Sequence, residues 1–553
     1  MNKKYFVCFV ILWMLQMAAA FWFCTQKKGF HEDELYTYYS TARTNGFYVE
    51  DGKWMERDAY RNEFVVLPEE RFQYGLVKQV QSWDVHPPMY YWVFHTVASL
   101  VPGVFSKWIG LSVNLFFHGM NLVLLAYLSY LASGRDERLP LLVMFIYGFG
   151  PAAMSGVVFI RMYEMLTTFV LLCAVLHVRA ALQAEEGGVR AADGEPADVR
   201  REHRLSIKML LAMASVTYVG FLTQYYYFIF LFFLAVAFCA WMLWRDRKIG
   251  NCLRYVLSQA LAFVLAYLTY PAFPGQMFRG QRGAQATENF FNLSNTLERL
   301  QFFWDLMNRY VFGGLLGLLL LFLVAAMAAV RLQNGKKAGE EVTSGVVLNM
   351  LLFTAVGYFL AVSKTALLLG DTSNRYQLPI YGIVVLLLVV CVWRLLKQFS
   401  GKRMVGMAAA FGLAIVALSY VRADVVFLYP EAADAVALAR EQAAAHIPVV
   451  YVYNPGEEWC IWAVADELME YDRVYFVSAA GEEPITEPTI ADADAVVAYL
   501  PHYDDMKEQT AQNMRIFAEN GKLSEFRLQQ SHKYCSEWYY GGGEGAWNDT
   551  GQP

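Results

Sequence analysis

The sequence predicts an α-helical polytopic membrane protein with a C-terminal extracytoplasmic α/β domain. Three observations predict it. Of the 553 residues, 57% are hydrophobic and 17% charged, less charge than a soluble chain of this size carries. The apolar residues fall into blocks of roughly 20, the length a helix needs to cross a bilayer. Beyond residue 423 the pattern changes to short apolar runs between helical stretches, which reads as a small parallel sheet. The net charge of −5 averages segments that lie on opposite sides of a membrane. No run of like charges points to nucleic acid.

Eleven spans are expected, at 5–24, 107–131, 139–159, 162–182, 208–222, 225–244, 252–270, 306–330, 344–362, 376–396 and 403–421. The first follows Lys3 and Lys4. It is long for a signal peptide and contains Phe21-Trp22-Phe23, so it reads as a retained anchor; Ala18-Ala19-Ala20 keeps cleavage open. The apolar block 87–105 opens on Pro87-Pro88 and is broken by Pro102-Gly103. It reads as a helix lying on the membrane.

Loop charge orients the spans. With the N-terminus in the cytoplasm, the inner loops carry Arg135 and Arg138; Arg200, Arg201 and Arg204; Arg245, Arg247 and Lys248; Arg331, Lys336 and Lys337; and Lys397, Lys402 and Arg403. The short outer loops carry Arg161; Arg279, Arg282 and Arg299; and Lys364 and Arg375. The first loop, 25–85, and the region 423–553 then lie outside a membrane domain of residues 1–422.

In the outer domain, 431–446, 457–470 and 503–519 have helical spacing. Pro448–Tyr453, Arg473–Ser478 and Ala495–Leu500 read as strands, and the tail from Gly541 reads as loose. Glu457, Glu458, Asp466 and Glu467 read as a solvated helix face. Of eight cysteines only Cys460 and Cys535 fall in a soluble region, where a disulfide and two free thiols are both open. No CxxC pair or other metal-ligand spacing occurs.

Five segments expected on the outer face could carry chemistry. His31-Glu32-Asp33-Glu34 opens an amphipathic stretch; its acids either complement a helix N-terminus or include a catalytic carboxylate. Asp84-Val85-His86-Pro87-Pro88 ends the first loop, and His86 either packs or meets a phosphate or metal. Arg161-Met162-Tyr163-Glu164 places Arg161 and Glu164 three residues apart, on one helix face, as a local ion pair or a functional pair at the membrane boundary. Arg279, Arg282 and Arg375 anchor lipid headgroups or bind phosphate.

The order of these segments resembles the GT-C membrane glycosyltransferases, the superfamily of the protein O-mannosyltransferases and the lipid A aminoarabinose transferases. One span precedes a loop that opens on Asp33-Glu34. His86-Pro87-Pro88-Met89-Tyr90-Tyr91 follows, and after two spans comes Arg161-Met162-Tyr163-Glu164. Leu222-Thr223-Gln224-Tyr225-Tyr226 and Asn374-Arg375-Tyr376 also look like family segments. The resemblance covers roughly residues 1–420. It implies transfer of a sugar from a polyprenyl-phosphate donor to a lipid, glycan or protein hydroxyl, with inversion.

On this resemblance Asp33 is the general base, Glu34 its neighbour and Glu164 a second acid. His86, Tyr90, Arg161, Tyr163, Arg279, Arg282, Arg375 and Tyr376 contact substrate. Glu164 stands where the family often has Asp, and His86 where the aminoarabinose transferases have Lys. No cofactor is implied with certainty; a divalent metal stays open, without a clear ligand set. Two rival readings remain: a transporter or flippase for lipid-linked sugars, and a non-enzymatic envelope protein. A transporter would place ionisable residues near mid-span, whereas these spans are nearly free of charge. The region 423–553 is expected to hold none of the primary catalytic groups.

Overall fold

The computed structural model describes residues 2–42, 49–192, 205–334, 342–399, 403–481, 484–502, 521–523 and 525–541. The expected helix at 503–519, the tail beyond Gly541 and the inner-loop residues Arg200, Arg201, Arg204, Lys336, Lys337 and Lys402 lie outside them. The chain divides into two compact units. The first comprises Met1–Gln26, Lys78–Phe94 and Ser106–Phe427. The second comprises Lys27–Val77, His95–Phe105 and Leu428–Pro553.

The first unit is helical. Among the described residues, eight helices are long and apolar enough to cross a membrane: Lys3–Gln26, Lys107–Ala132, Tyr163–Glu185, Tyr226–Asp246, Gly250–Thr269, Gly345–Thr365, Leu378–Lys397 and Met404–Arg422. Two bent pairs pass the same test, and Ile207–Thr223 is a shorter apolar helix. Together these account for the eleven expected segments. Met89–Leu100, from the block 87–105, has 12 residues, too few to cross.

The bends have local causes. Leu139–Gly148 and Pro151–Val158 meet at 60°, where Pro151 lacks the N–H that a continuous helix would use. Thr296–Phe312 and Leu316–Ala326 meet at 82°. There Gly313 and Gly314 take φ of +59° and +87°, a region glycine enters at little cost. Asn308 closes this corner: its carbonyl accepts from Gly314 N at 2.9 Å and its Oδ1 from Leu316 N at 2.8 Å. The expected span 306–330 is therefore two helices, because hydropathy passes over a Gly-Gly corner inside an apolar run.

Polar side chains fasten helices to one another. Gln16, fully buried in the first span, donates to the Met144 carbonyl at 2.6 Å. Asp136, in the loop after Lys107–Ala132, accepts from Arg138 N at 3.0 Å and from Trp393 Nε1 at 3.0 Å, and pairs with Lys397 at 3.1 Å.

The second unit is built on a six-stranded sheet. The strands are β1 (Lys53–Glu56), β2 (Val449–Tyr453), β3 (Arg473–Ser478), β4 (Ala495–Pro501), β5 (Phe526–Ser531) and β6 (Cys535–Gly541), in the order β1-β3-β2-β4-β6-β5. β2 pairs in parallel with β3 and β4. β1 runs antiparallel to β3, and β6 antiparallel to β4 and β5. Val450, Val452, Val496, Ala498 and Leu500 face one core with Trp538 and Tyr540. The three central strands are those the apolar runs predict. The antiparallel edges were not foreseen, because Lys53–Glu56 is short and Phe526–Ser531 is largely polar and exposed.

The expected helix 431–446 is Ala432–Ala444. The expected helix 457–470 is instead a 3-10 segment, Glu458–Val464, followed by Ala465–Leu468. Trp462 is drawn against the first-loop helix Glu32–Ala42, with ring centroids 5.3 Å from Tyr36 and 4.9 Å from Tyr39. Of the four acids expected on a solvated face, Glu457 is exposed, Glu458 and Asp466 are half-buried, and Glu467 is buried.

Two outcomes follow from this packing. Burial raises the Asp136 carboxyl, but Arg138, Lys397 and Trp393 outweigh burial and hold it down at about 2, from 3.8. Asp136→Asn should lower stability by about 2 kcal/mol at neutral pH. Because the folded value is depressed, the wild-type advantage is full above about pH 4 and disappears as pH falls toward 2. Thermal unfolding of both proteins across that range checks the sign. The second outcome concerns a chain ending near Tyr420. Without β3 and Trp462, the segment 27–77 should become cleavable in limited proteolysis; continued resistance would show that the loop folds alone.

Candidate functional site

In the first unit the candidate residues gather on the non-helical segment Phe159–Met162, between helices Pro151–Val158 and Tyr163–Ala192. Asn114 holds it, donating to the carbonyls of Val157 at 3.0 Å and Phe159 at 2.5 Å. Arg161 precedes the helix rather than lying on it, so the expected shared helix face with Glu164 does not form. Its guanidinium lies 3.3 Å from His86 Nε2 and 5.8 Å from the Tyr91 ring centroid. His86 Nδ1 in turn lies 2.8 Å from Asp84 Oδ2. Burial would raise the Asp84 carboxyl; His86 beside it and Arg161 beyond hold it below the ordinary range.

The same segment carries a second cluster. The Arg375 guanidinium sits 5.2 Å from the Phe159 ring and 5.1 Å from Tyr376, whose hydroxyl it reaches at 3.3 Å. Tyr163 and Tyr226 meet the Tyr376 ring edge-on at 6.0 and 5.8 Å. Arg161 and Arg375 are 3% and 4% exposed. A low-dielectric position of this kind strengthens the pull of a guanidinium on an anion. Tyr90, fully buried, stacks edge-on with Tyr91 at 5.7 Å.

Other candidates lie apart. Glu164 turns into the helix bundle, where Oε2 accepts from Asn121 Nδ2 at 2.7 Å and lies 3.4 Å from His118 Nδ1. Gly156 leaves it room: a Cβ there would come within 2.5 Å of Oε1. Arg279 and Arg282 are exposed, and Arg282 approaches Gln285 at 3.5 Å. In their loop the anchoring residue is Gln276, which no motif marked. Its amide donates to the carbonyls of Gln81 at 2.8 Å and Asp84 at 2.5 Å, and to Tyr270 Oη at 2.9 Å.

In the second unit the first-loop acids have different roles. Glu34 is fully buried; it pairs with Lys27 at 2.9 Å and accepts from His31 N at 2.6 Å. Glu32 pairs with Lys533 and accepts from Tyr534 at 3.2 Å. His31 Nδ1 caps the helix by accepting from Asp33 N at 3.1 Å. Asp33 is the most accessible of the three, its side chain 37% exposed.

No protein-family model and no curated protein matches the chain. Solved structures do. ArnT from Cupriavidus metallidurans, bound to undecaprenyl phosphate, superposes with a TM-score of 0.51 at 11% identity, over 98% of both chains. The oligosaccharyltransferase AglB from Archaeoglobus fulgidus, in complex with an inhibitory peptide and a dolichol-phosphate, gives 0.41 at 11% identity, over 96% of this chain and 74% of its own. The fold is of the GT-C type. The ArnT likeness covers 98% of this chain, more than the residues 1–420 of the sequence resemblance.

One further cluster was invisible in the sequence. Among the described residues, one group of His, Cys, Asp or Glu is close enough to hold a metal ion: Glu467, His532 and Glu537. Burial raises the Glu467 carboxyl well above the glutamate range and Glu537 to about 7, and lowers His532 to about 4. The nearby Asp466 is raised by burial to about 6. Cys460 and Cys535 are separate thiols. Nothing in chain spacing could have assembled a cluster drawn from a short helix, a hairpin turn and a strand.

Gln276 gives a direct check on how the Asp84–His86 approach is held. Gln276→Ala should cost about 1–3 kcal/mol, because the Asp84 carbonyl loses the Gln276 amide and the Gln81 carbonyl keeps only Tyr270 Oη of its two donors. An unchanged melting temperature would mean that the loop 271–295 does not fasten this segment.

Proposed function

We propose that the chain is an inverting glycosyltransferase that moves a sugar from a polyprenyl-phosphate donor to a hydroxyl of an envelope acceptor on the outer face of the membrane. The observation that carries the reading is the pair of buried guanidiniums, Arg161 within Phe159–Met162 and Arg375 against the Phe159 ring, in a chain with the GT-C fold. The similar ArnT structure holds undecaprenyl phosphate, and the two guanidiniums suit the phosphate of such a carrier. The loop-charge pattern supports a cytoplasmic N-terminus with the second unit outside.

In this mechanism Asp33 accepts the proton of the acceptor hydroxyl. The acceptor oxygen bonds to the anomeric carbon as the bond to the phosphate oxygen breaks. The electron pair leaves with the phosphate, and Arg161, Arg375 and His86 stabilise that growing charge. Attack opposite the leaving group inverts the anomeric centre. Glu34, bound to Lys27, holds the helix that presents Asp33. Glu164, bound to Asn121, positions the start of its own helix. Tyr90, Tyr163 and Tyr376 shape the donor site, and Arg279 and Arg282 interact with lipid headgroups around it.

Asp33→Asn keeps the side-chain shape and removes the base. Transfer should fall by about 10²–10⁴-fold with donor binding retained. Arg375→Ala should instead weaken binding of the polyprenyl-phosphate donor. Normal turnover by purified Asp33→Asn protein would sink the assignment of the base. Donor affinity unchanged in both Arg161→Ala and Arg375→Ala would sink the donor site.

A further inference from the structure

Glu467, His532 and Glu537 stand outside the proposed transfer chemistry, and their geometry makes a claim of its own. Glu467 lies on the short helix Ala465–Leu468, His532 in the turn between β5 and β6, and Glu537 on β6. Their ligand atoms all lie within 4.8 Å of one another, and His532 Nε2 is 3.4 Å from Glu467 Oε2. Nitrogen and oxygen ligands set about 2.1 Å from a common metal in a tetrahedral site lie roughly 3.4 Å apart. Glu467 and Glu537 are 4% and 1% exposed.

Two atoms of these side chains, His532 Nε2 and Glu537 Oε2, are buried and have no hydrogen-bond partner among the described residues. Buried polar atoms are ordinarily satisfied. Neighbouring side chains hold the acids: Tyr499 donates at 3.1 Å to Glu467 Oε2, the oxygen that also lies 3.4 Å from His532 Nε2, and Gln442 donates to Glu537 Oε1 at 3.0 Å. Gln442 is itself fixed by Tyr471. Acids held by bonds from neighbouring side chains, beside buried atoms with unfilled valences, are the pattern of metal ligands with their supporting residues. Charge closes as well, since two carboxylates and a neutral imidazole balance one divalent cation.

We propose that Glu467, His532 and Glu537 form a binding site for a divalent transition-metal cation, with Zn2+ the matching ion. The imidazole nitrogen and three-ligand count suit Zn2+. Ca2+ and Mg2+ prefer more numerous, all-oxygen ligands. The site is independent of the transfer reading: it concerns the folded second unit whatever the chain catalyses.

The test uses the full chain in detergent, stripped with a chelator and dialysed. Zn2+ binding is followed by calorimetry and by metal content after desalting. Wild type should bind one more equivalent of Zn2+ than the Glu467→Gln, Glu537→Gln double variant, and Ca2+ and Mg2+ should not compete. Zn2+ should raise the melting temperature of the wild type more than that of the variant. The amides keep the buried shape, so the metal-free variant should melt no lower than metal-free wild type. Tyr499→Phe should retain the site with about 10-fold weaker affinity. Equal Zn2+ stoichiometry in wild type and double variant would overturn the proposal, as would equal competition by Ca2+ or Mg2+. An absence of Zn2+ binding would leave the cluster a proton-sharing carboxyl pair and would also overturn it.

Discussion

A helix that unwinds inside an apolar bundle must find partners for the backbone groups it exposes, because neither lipid nor packed side chains supply them. The rest of the candidate site depends on how the chain meets that demand at Phe159–Met162. One amide, Asn114, donates to two carbonyls, of Val157 and Phe159. With the backbone held there, Phe159 can lie beside Arg375, Arg161 can reach His86, and Tyr163 can start a new helix beside Tyr376. Asn114 touches none of the proposed chemistry, yet the placement of the charged groups rests on it.

The second unit has a comparable anchor at the start of Glu32–Ala42. The Lys27–Glu34 pair is fully buried. Such a pair adds little net stability relative to apolar neighbours of the same size, but removing one member leaves a stranded charge and is costly. Its effect is therefore on geometry. With Glu34 committed to Lys27 and to His31 N, and Glu32 to Lys533, the acid left most open to solvent is Asp33. Three acids of similar chemistry are thus assigned different work by their neighbours.

Most of the helices were legible because bilayer length and composition leave few alternatives for an apolar run of 20 residues. The departures fall where local geometry overrides hydropathy. Gly313-Gly314 turns a corner inside an apolar run, and Trp462 draws an expected helix into a 3-10 turn against Tyr36 and Tyr39. At the site, the segments containing Asp33, His86, Arg161 and Arg375 could be singled out from residue type and order. What their order could not reveal was partnership. Asp84 stands two residues from His86 and so could have been read as its partner. Gln276, an uncharged amide three residues before Arg279, gave no signal of its own. Strand β1 lies in the first loop, hundreds of residues from β3, and four short residues carry little pattern.

Two buried acids show how differently one burial problem can be met. Glu164 has donors at hand: Asn121 bonds it at 2.7 Å and His118 stands 3.4 Å away, on the neighbouring helix Lys107–Ala132. The Asn121 bond meets one oxygen with a group the bundle already contains, and the acid serves to register two helices. Among the described residues Glu537 has Gln442 on Oε1 and no partner on the buried Oε2, and it clusters with Glu467 and His532. A second carboxylate is the wrong neighbour for an ionised acid, since like charges at short range each raise the cost of the other. A purely structural core would satisfy that oxygen with another amide or hydroxyl, as it does around Gln442. The convergence of two acids and an imidazole on unfilled valences instead calls for positive charge from outside the chain, and the surrounding tyrosine and glutamine bonds hold the three side chains where a cation could supply it.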